Sequence, residues 1–465
     1  MRTERDTLGP VQVPDDALYG AQTQRAVENY PISGLREHPA FIRAFIYLKK
    51  AAALANSELG AMDEKLAAAI AASCDDILAN EGAYRQHFVV DVFQAGAGTS
   101  FNMNMNEVLA NLANVKLGGR IGQYKPIHPN DHVNMAQSTN DVVPAAIRIA
   151  ALILLDQLFP ALDQLTAAFD ERGDAFRDVI KSGRTHLQDA VPVTLGQEFK
   201  AYAAATRRST QLMRDAAREL QVLGIGGTAT GTGINTPFGY RFAVVRYLRD
   251  FTGLDLIASD DLREAMQSSL PVVAVSAAYR NLALELTRIM NDLRLLASGP
   301  QTGLAEIILP AVQPGSSIMP GKVNPSMLEC MNQVLFHIIG ADTAIAYAAQ
   351  AGQLELNVMM PLMAFEITFS IEILKNYLPV FIDKCIKGIE ADRARCEAYY
   401  VSSPSLATAL NPIIGYTAAA EIAKESAKSG KPIPELLRER KLLDEQKIRE
   451  IFTPEFLAGQ ADRKA

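Results

Sequence analysis

Apolar residues recur at three- and four-residue spacing along most of the chain, and the strict alternation of a half-buried strand is rare. The spacing predicts amphipathic helices over 41–60 and 64–79, with Gly60 stopping the first. Over 82–106 the pattern breaks. Gly82, Gly96 and Gly98 interrupt it and Asn102, Asn104 and Asn106 alternate, which predicts a loop feeding a helix that starts near Asn104. From 143 to about 180, Ile147, Ile149, Leu152, Leu155, Leu158, Leu162 and Leu165 trace one helix far longer than the globular average, with Pro160 as an expected kink. Residues 194–223, 268–298, 326–350 and 358–390 predict four more. Pro271 falls in the first turn of its helix, where a missing N–H does no harm.

Five long helices in one region read as a bundle. Their faces are apolar nearly all round, as in Val272-Val273-Ala274-Val275-Ser276-Ala277-Ala278. Such helices need partners on every side, so association with further copies of the chain is expected. After residue 384 charge becomes denser, with short helices over 414–428 and 445–452. The expectation is an all-α fold with an N-terminal domain (1–138), a central helical bundle (139–392) and a C-terminal domain (393–465).

Composition narrows the classes. At 465 residues with 49% hydrophobic and 21% charged side chains, the chain reads as a soluble protein of more than one domain. A net charge of −7 gives no support to a nucleic-acid partner. The apolar run 142–161 is broken by Arg148, Asp156 and Pro160, and no membrane span is expected. The opening Met1-Arg2-Thr3-Glu4-Arg5-Asp6 has no apolar signal core, and Cys74, Cys330, Cys385 and Cys396 are too scattered for a disulfide framework or zinc site. A cytoplasmic protein with reduced thiols is expected.

Candidate chemistry sits in four polar stretches: Gly96-Ala97-Gly98-Thr99-Ser100; His128-Pro129-Asn130-Asp131-His132 running into Gln137-Ser138-Thr139-Asn140-Asp141; Gly183-Arg184-Thr185-His186-Leu187-Gln188-Asp189; and Gly315-Ser316-Ser317-Ile318-Met319-Pro320-Gly321-Lys322-Val323-Asn324. Each has a plain structural explanation. Gly-Thr-Ser suits a turn or cap, and Ser138 before a long apolar helix suits an N-cap. His186 alone would be a hydrogen-bonded structural residue, and Lys322 alone a solvated charge. Gly224-Ile225-Gly226-Gly227-Thr228 hints at a phosphate loop but fits neither glycine-rich nucleotide pattern, and no strand is expected before it. Taken together, the stretches supply many neutral hydroxyl and amide donors and one lysine, with no metal-ligand cluster and no nucleophile elbow. Such donors hold carboxylate oxygens without burying a large net charge.

The fourth stretch resembles the signature of the aspartase/fumarase superfamily, Gly-Ser-Ser-x-Met-Pro-x-Lys-x-Asn. The other three match that family in the same order, as do the opening Tyr19-Gly20-Ala21-Gln22-Thr23-Gln24-Arg25-Ala26 and Gly196-Gln197-Glu198. The resemblance implies a three-domain fold and a homotetramer with a twenty-helix core, whose active sites are each shared by three subunits. It implies anti elimination of ammonia from L-aspartate to give fumarate through an aci-carboxylate. Ser138-Thr139-Asn140 and Met331-Asn332-Gln333-Val334 are similar to the aspartate-specific branch, while Ala136 and Ala145 depart from it. The alternatives are the class II fumarase reaction on malate, a lyase for another amino acid, or a non-enzymatic scaffold; the last does not need Ser316, Lys322, Asn324 and His186 together.

The same resemblance implies roles. Ser316 would be the base. Thr99, Ser138, Thr139 and Ser317 would hold the β-carboxylate, and Thr185, Lys322 and Asn324 the α-carboxylate. Asn140, Thr99 and His186 would face the amine. Glu329 would pair with His186, and Arg25 is a further candidate for the carboxylate pocket. No cofactor or metal is required, the substrate is a small molecule, and neither nucleic acid nor membrane is an expected partner.

Overall fold

The structure is a computed structural model describing residues 1–459. It is mostly helical. The five expected long helices run over Thr139–Ala175, Leu195–Ala217, Leu270–Leu296, Ser326–Gln350 and Met360–Lys384. Pro160 lies within the first and does not end it, and Pro379 lies within the last. The described chain divides into two compact units. One comprises Met1–Phe159, Gln211–Ala283 and Phe336–Lys375; the other comprises Pro160–Thr210, Leu284–Leu335 and the chain from Asn376. The division cuts all five long helices.

In the first unit, the early helices are Pro39–Glu58 and Glu64–Ala79. Gly60, at φ +74, ends the former in the left-handed conformation that a side chain resists. The expectation of a helix start near Asn104 is corrected: the helix is Thr99–Lys116, opened by Gly98 at φ +80. The alternating asparagines read as irregular because Asn is a poor helix former. Here they are buried within the helix and tie loops to it. Asn104 bonds His87 O and Val89 N, Asn111 bonds Leu18 O and Gly122 N, and Asn114 bonds both Ile127 groups. Glu107 on the same helix takes the N–H groups of Gly20, Gln22 and Thr23, so it caps the helix Ala21–Asn29, which has no side-chain cap of its own. Phe41, Phe45, Phe88 and Phe101 pack edge-on and stacked beneath these loops.

Strands are minor. Among the described residues four two-stranded sheets occur: Arg2–Asp6 with Gly9–Val13, Ile180–Thr185 with Gln188–Thr194, Val222–Leu223 with Ile257–Ala258, and Ile307–Ile308 with Glu390–Ala391. A short strand therefore does precede Gly224, contrary to expectation. Two residues of parallel pairing leave no periodicity to read. The helix Tyr240–Thr252 was likewise not foreseen.

In the second unit, the later chain builds its own small core from Leu406, Leu410, Ile422, Ile433, Leu436, Leu437, Ile448 and Ile451. The 3-10 turn Pro404–Leu410 supplies Leu406 and Leu410, and the short helices Tyr416–Ser429, Ile433–Glu439 and Glu445–Ile451 supply the rest.

One helix, Thr139–Ala175, is long and apolar enough to cross a membrane by length and composition, but 72% of its most apolar window is buried inside the protein. It is a core helix. The Leu270–Leu296 helix buries Val272, Val275, Ser276 and Tyr279 at helical spacing and leaves Val273, Ala274, Ala277 and Ala278 half-buried. Leu270, Leu284, Phe336, Tyr347 and Phe369 on the long helices are exposed in the single chain.

Candidate active site

Five of the twelve expected residues (Arg25, Thr99, Ser138, Thr139 and Asn140) belong to the first unit. The other seven (Thr185, His186, Ser316, Ser317, Lys322, Asn324 and Glu329) belong to the second.

In the first unit the elements converge on helix starts. Thr99 opens its helix and is exposed, and in the same first turn Gln94 Oε1 accepts Phe101 N at 2.8 Å. Ser138 caps the 37-residue helix: its Oγ accepts Asn140 N at 3.2 Å, while Asp141 Oδ1 takes Ser138 N at 2.9 Å. This is the reciprocal capping box, so Ser138 has its plain structural role as well as any chemical one. Asn140 donates to Ala229 O at 2.8 Å. Asp141 Oδ2 accepts Gly226 N and Thr228 N, both at 3.0 Å. The glycine-rich stretch thus cradles an anion, and that anion is a buried carboxylate of the protein itself. Burial pushes Asp141 up to about 6, against the pull of those three N–H bonds and of Lys49.

Below Thr139 lies a network that sequence reasoning missed. Lys49, fully buried on Pro39–Glu58, donates to Asn102 Oδ1 (2.8 Å), Asn134 Oδ1 (3.0 Å) and Gln137 Oε1 (3.0 Å). Asn102 Nδ2 donates to Thr139 Oγ1 at 3.1 Å. Burial lowers Lys49 to about 7, with Asp141 and Cys74 acting in the other direction. A signal existed: Lys49 falls on the stripe of Phe45, Leu48, Ala52 and Ala55, where a lysine breaks the apolar face. Arg25 commits Nε and Nη2 to Asp6 at 2.7 and 3.0 Å and Nη2 also to Gly9 O, leaving Nη1 without a bond among the described residues.

In the second unit Thr185 and His186 sit on a hairpin whose turn is His186-Leu187, between the paired Thr185 and Gln188. Both turn residues are left-handed, at φ +55 and +60. Asn-Gly ordinarily fills such turns, and each non-glycine residue held there costs about 1–2 kcal/mol. The hairpin base resists that strain. Buried Glu306 receives Arg184 at 2.9 Å and Lys181 at 3.1 Å, and Lys181 also reaches Glu198 at 2.8 Å. At Gly183, where the register shifts, a Cβ would lie 2.5 Å from Val191 O. The tip is exposed, and His186 makes no hydrogen bond among the described residues. Within the chain Glu329 lies 4.0 Å from Arg294 and is not bonded to His186.

The stretch Gly315-Ser316-Ser317-Ile318-Met319-Pro320-Gly321-Lys322 is an irregular, exposed loop with a closed neck. Gly315 N donates to Lys322 O at 2.8 Å, and Asn324 Nδ2 donates to Gly315 O at 2.5 Å. A Cβ at Gly315 would fall 2.4 Å from Lys322 O, so only glycine fits there. Ser316 Oγ accepts two backbone N–H groups, from Ile318 at 3.2 Å and Met319 at 3.0 Å. Donors aimed at a hydroxyl oxygen favour its anion, as an oxyanion hole does. Ser317 and Lys322 are exposed.

A family model described as lyase matches residues 9–340, and one described as fumarase C C-terminus matches residues 406–459. The chain belongs to the aspartase/fumarase superfamily. An aspartate ammonia-lyase of Helicobacter pylori is 47% identical over 457 residues, 98% of this chain and 97% of that protein. A fumarate lyase:delta crystallin from Brucella melitensis has a similar crystal structure, with TM-score 0.94 and 48% identity over 97% of this chain and 98% of that one. A class II fumarase from Schistosoma mansoni superposes with TM-score 0.92 at 34% identity, covering 99% of each chain. The superfamily fold expected from the sequence is the fold observed.

Proposed function

We propose that the chain is an aspartate ammonia-lyase, a carbon–nitrogen lyase that deaminates L-aspartate reversibly to fumarate. The observation that carries this is its near-full-length identity of 47% with a protein of that activity, against 34% with the class II fumarase. The C3 proton of aspartate is weakly acidic and leaves only if the β-carboxylate can take a second negative charge as an aci-carboxylate. In this reading Thr99, Ser138, Thr139 and Ser317 hold that group. Ser316 takes the proton as an alkoxide favoured by the two N–H groups on its Oγ and by Lys322. Thr185, Lys322 and Asn324 hold the α-carboxylate, and Arg25 is a further candidate for the carboxylate pocket. Asn140, Thr99 and His186 accept from the amine, and Glu329 orients His186 from another subunit. Departure of ammonia from C2 completes the anti elimination.

The assembly is a homotetramer, each site drawing residues from three chains. The exposed Phe336, Tyr347 and Leu284 on the long helices support this, because apolar helix faces seek cover. We place the enzyme in the cytoplasm. The test is absorbance in the fumarate band with L-aspartate in one cuvette and L-malate in another. Fumarate and ammonia from aspartate alone are expected; fumarate from malate alone overturns the reading in favour of the hydratase.

A further inference from the structure

We propose that Lys49 is a positioning residue that acts through Asn102 to make the Thr139 hydroxyl a hydrogen-bond donor toward a substrate carboxylate. This rests on the reading of Thr139 as part of the carboxylate-binding set.

The argument is one of donor and acceptor direction. In its ammonium form Lys49 has three donors and no acceptor, so each amide atom it touches is then an oxygen. Asn102, Asn134 and Gln137 therefore all turn their oxygens toward Lys49. With Oδ1 so held, Asn102 presents only N–H groups on its other side, and these go to Thr139 Oγ1 and Asn134 Oδ1. Asn134 Oδ1 is fixed again by Asn106 Nδ2 at 3.3 Å. Gln137 Nε2 is spent on the carbonyls of Val133 and Met135. Met135 O also accepts from Asn56 Nδ2. No amide in the network can rotate without setting two donors or two acceptors against each other. Thr139 Oγ1 is thereby an acceptor on its buried side, and its single proton has no partner among the described residues. Replace Lys49 by an apolar residue and Asn102 Oδ1 loses its partner, so that only the 3.3 Å bond from Asn102 Nδ2 to Asn134 Oδ1 opposes a flip. Once flipped, the Asn102 oxygen takes the Thr139 proton, and the hydroxyl faces the ligand with a lone pair.

The test is a double-mutant cycle of Lys49→Met and Thr139→Val. It reads succinate binding by calorimetry and KM and kcat for L-aspartate. Succinate is the probe because it has both carboxylates and no amine. Lys49→Met is expected to weaken succinate about tenfold and to raise KM more than it lowers kcat, as loss of one charge-linked hydrogen bond would. In the Thr139→Val background the same change should do less than about twofold, because the group it orients is gone. An equal tenfold loss in both backgrounds means that Lys49 only supports the fold, and overturns the proposal. Asn102→Ala, which leaves Lys49 bonded to Asn134 and Gln137, should show the same dependence on Thr139. It decides the matter if Lys49→Met does not fold, and additivity there also overturns the proposal. Succinate coupling in a wild-type protein that does not turn over aspartate would sink the assigned reaction and leave the relay standing. Turnover without coupling would do the reverse, and absence of both turnover and succinate binding removes the relay's premise.

Discussion

Thr139 is 8% exposed, above a network in which Lys49 and three amides satisfy one another, whereas Ile318, two residues beyond Ser316, is 84% exposed on a loop fastened only at its neck. The first region is fixed before any ligand arrives. Its groups sit on helix starts, and their directions follow from buried Lys49 in its ammonium form. The second has the Ser316 hydroxyl, proposed as the base, set by two local N–H groups and little else holding the tip. A wall that recognises charge gains from rigidity, because donors that need not reorganise stabilise a developing anion best. A loop that must admit substrate and then exclude water gains from motion.

The largest expected effect comes from the loop. Ser316→Ala should lower kcat by about 10³-fold or more while the melting temperature and oligomeric state hold, since a general base is worth roughly 10²–10⁴. Activity within a few-fold of wild type would end the assignment of Ser316 as base. Next, Gly315→Ala pushes a Cβ against Lys322 O and opens the neck. Kcat should fall roughly 10²-fold through misplacement of Ser316, with little change in succinate affinity. An equal loss in both would mean that wall and loop are not separable. Hydrogen exchange sharpens the same contrast: with succinate bound, amides over 315–322 should slow about tenfold or more and those at the start of the Thr139 helix hardly at all. Uniform slowing would show the wall to be as mobile as the loop.

The smallest effect tests whether a second buried ionisable group of the first unit is kept neutral by its surroundings. Burial, with Asp91 nearby, raises Glu37 well above the usual carboxylate range, and its Oε1 accepts from Gln94 at 2.9 Å. Between the unfolded pKa and the raised folded one, the folded state binds the extra proton, so Glu37 erodes stability as pH rises through that window. Glu37→Gln keeps the acceptor and removes the titration. Its melting temperature should exceed that of wild type by a few degrees at pH 8 and match it near pH 4. A gap that does not narrow on acidification would refute the protonated Glu37.

The long helices were legible because apolar spacing over twenty or more residues leaves little doubt about period. Ser138 was legible as a cap, and Ser316 as part of a loop that neither helix nor strand would accept. What escaped was polar and local. The hairpin carrying Thr185 and His186 is held by Glu306, more than a hundred residues away in sequence, and its turn uses His-Leu where turn chemistry predicts Asn-Gly. Asn102, Asn104 and Asn106 looked like a broken helix because their partners, Lys49 among them, lie on other elements. Propensity reads each residue alone, and these residues are helical only in company.

Because the division between the compact units falls inside all five long helices, neither unit is a continuous piece of polypeptide. The first cannot be complete until Phe336–Lys375 has been made. At roughly 5–20 residues per second on the ribosome, the segment Met1–Phe159 waits tens of seconds for its last neighbours, its apolar surfaces uncovered meanwhile. Completion of either unit is thus a late event in synthesis, with a long window for chaperone engagement.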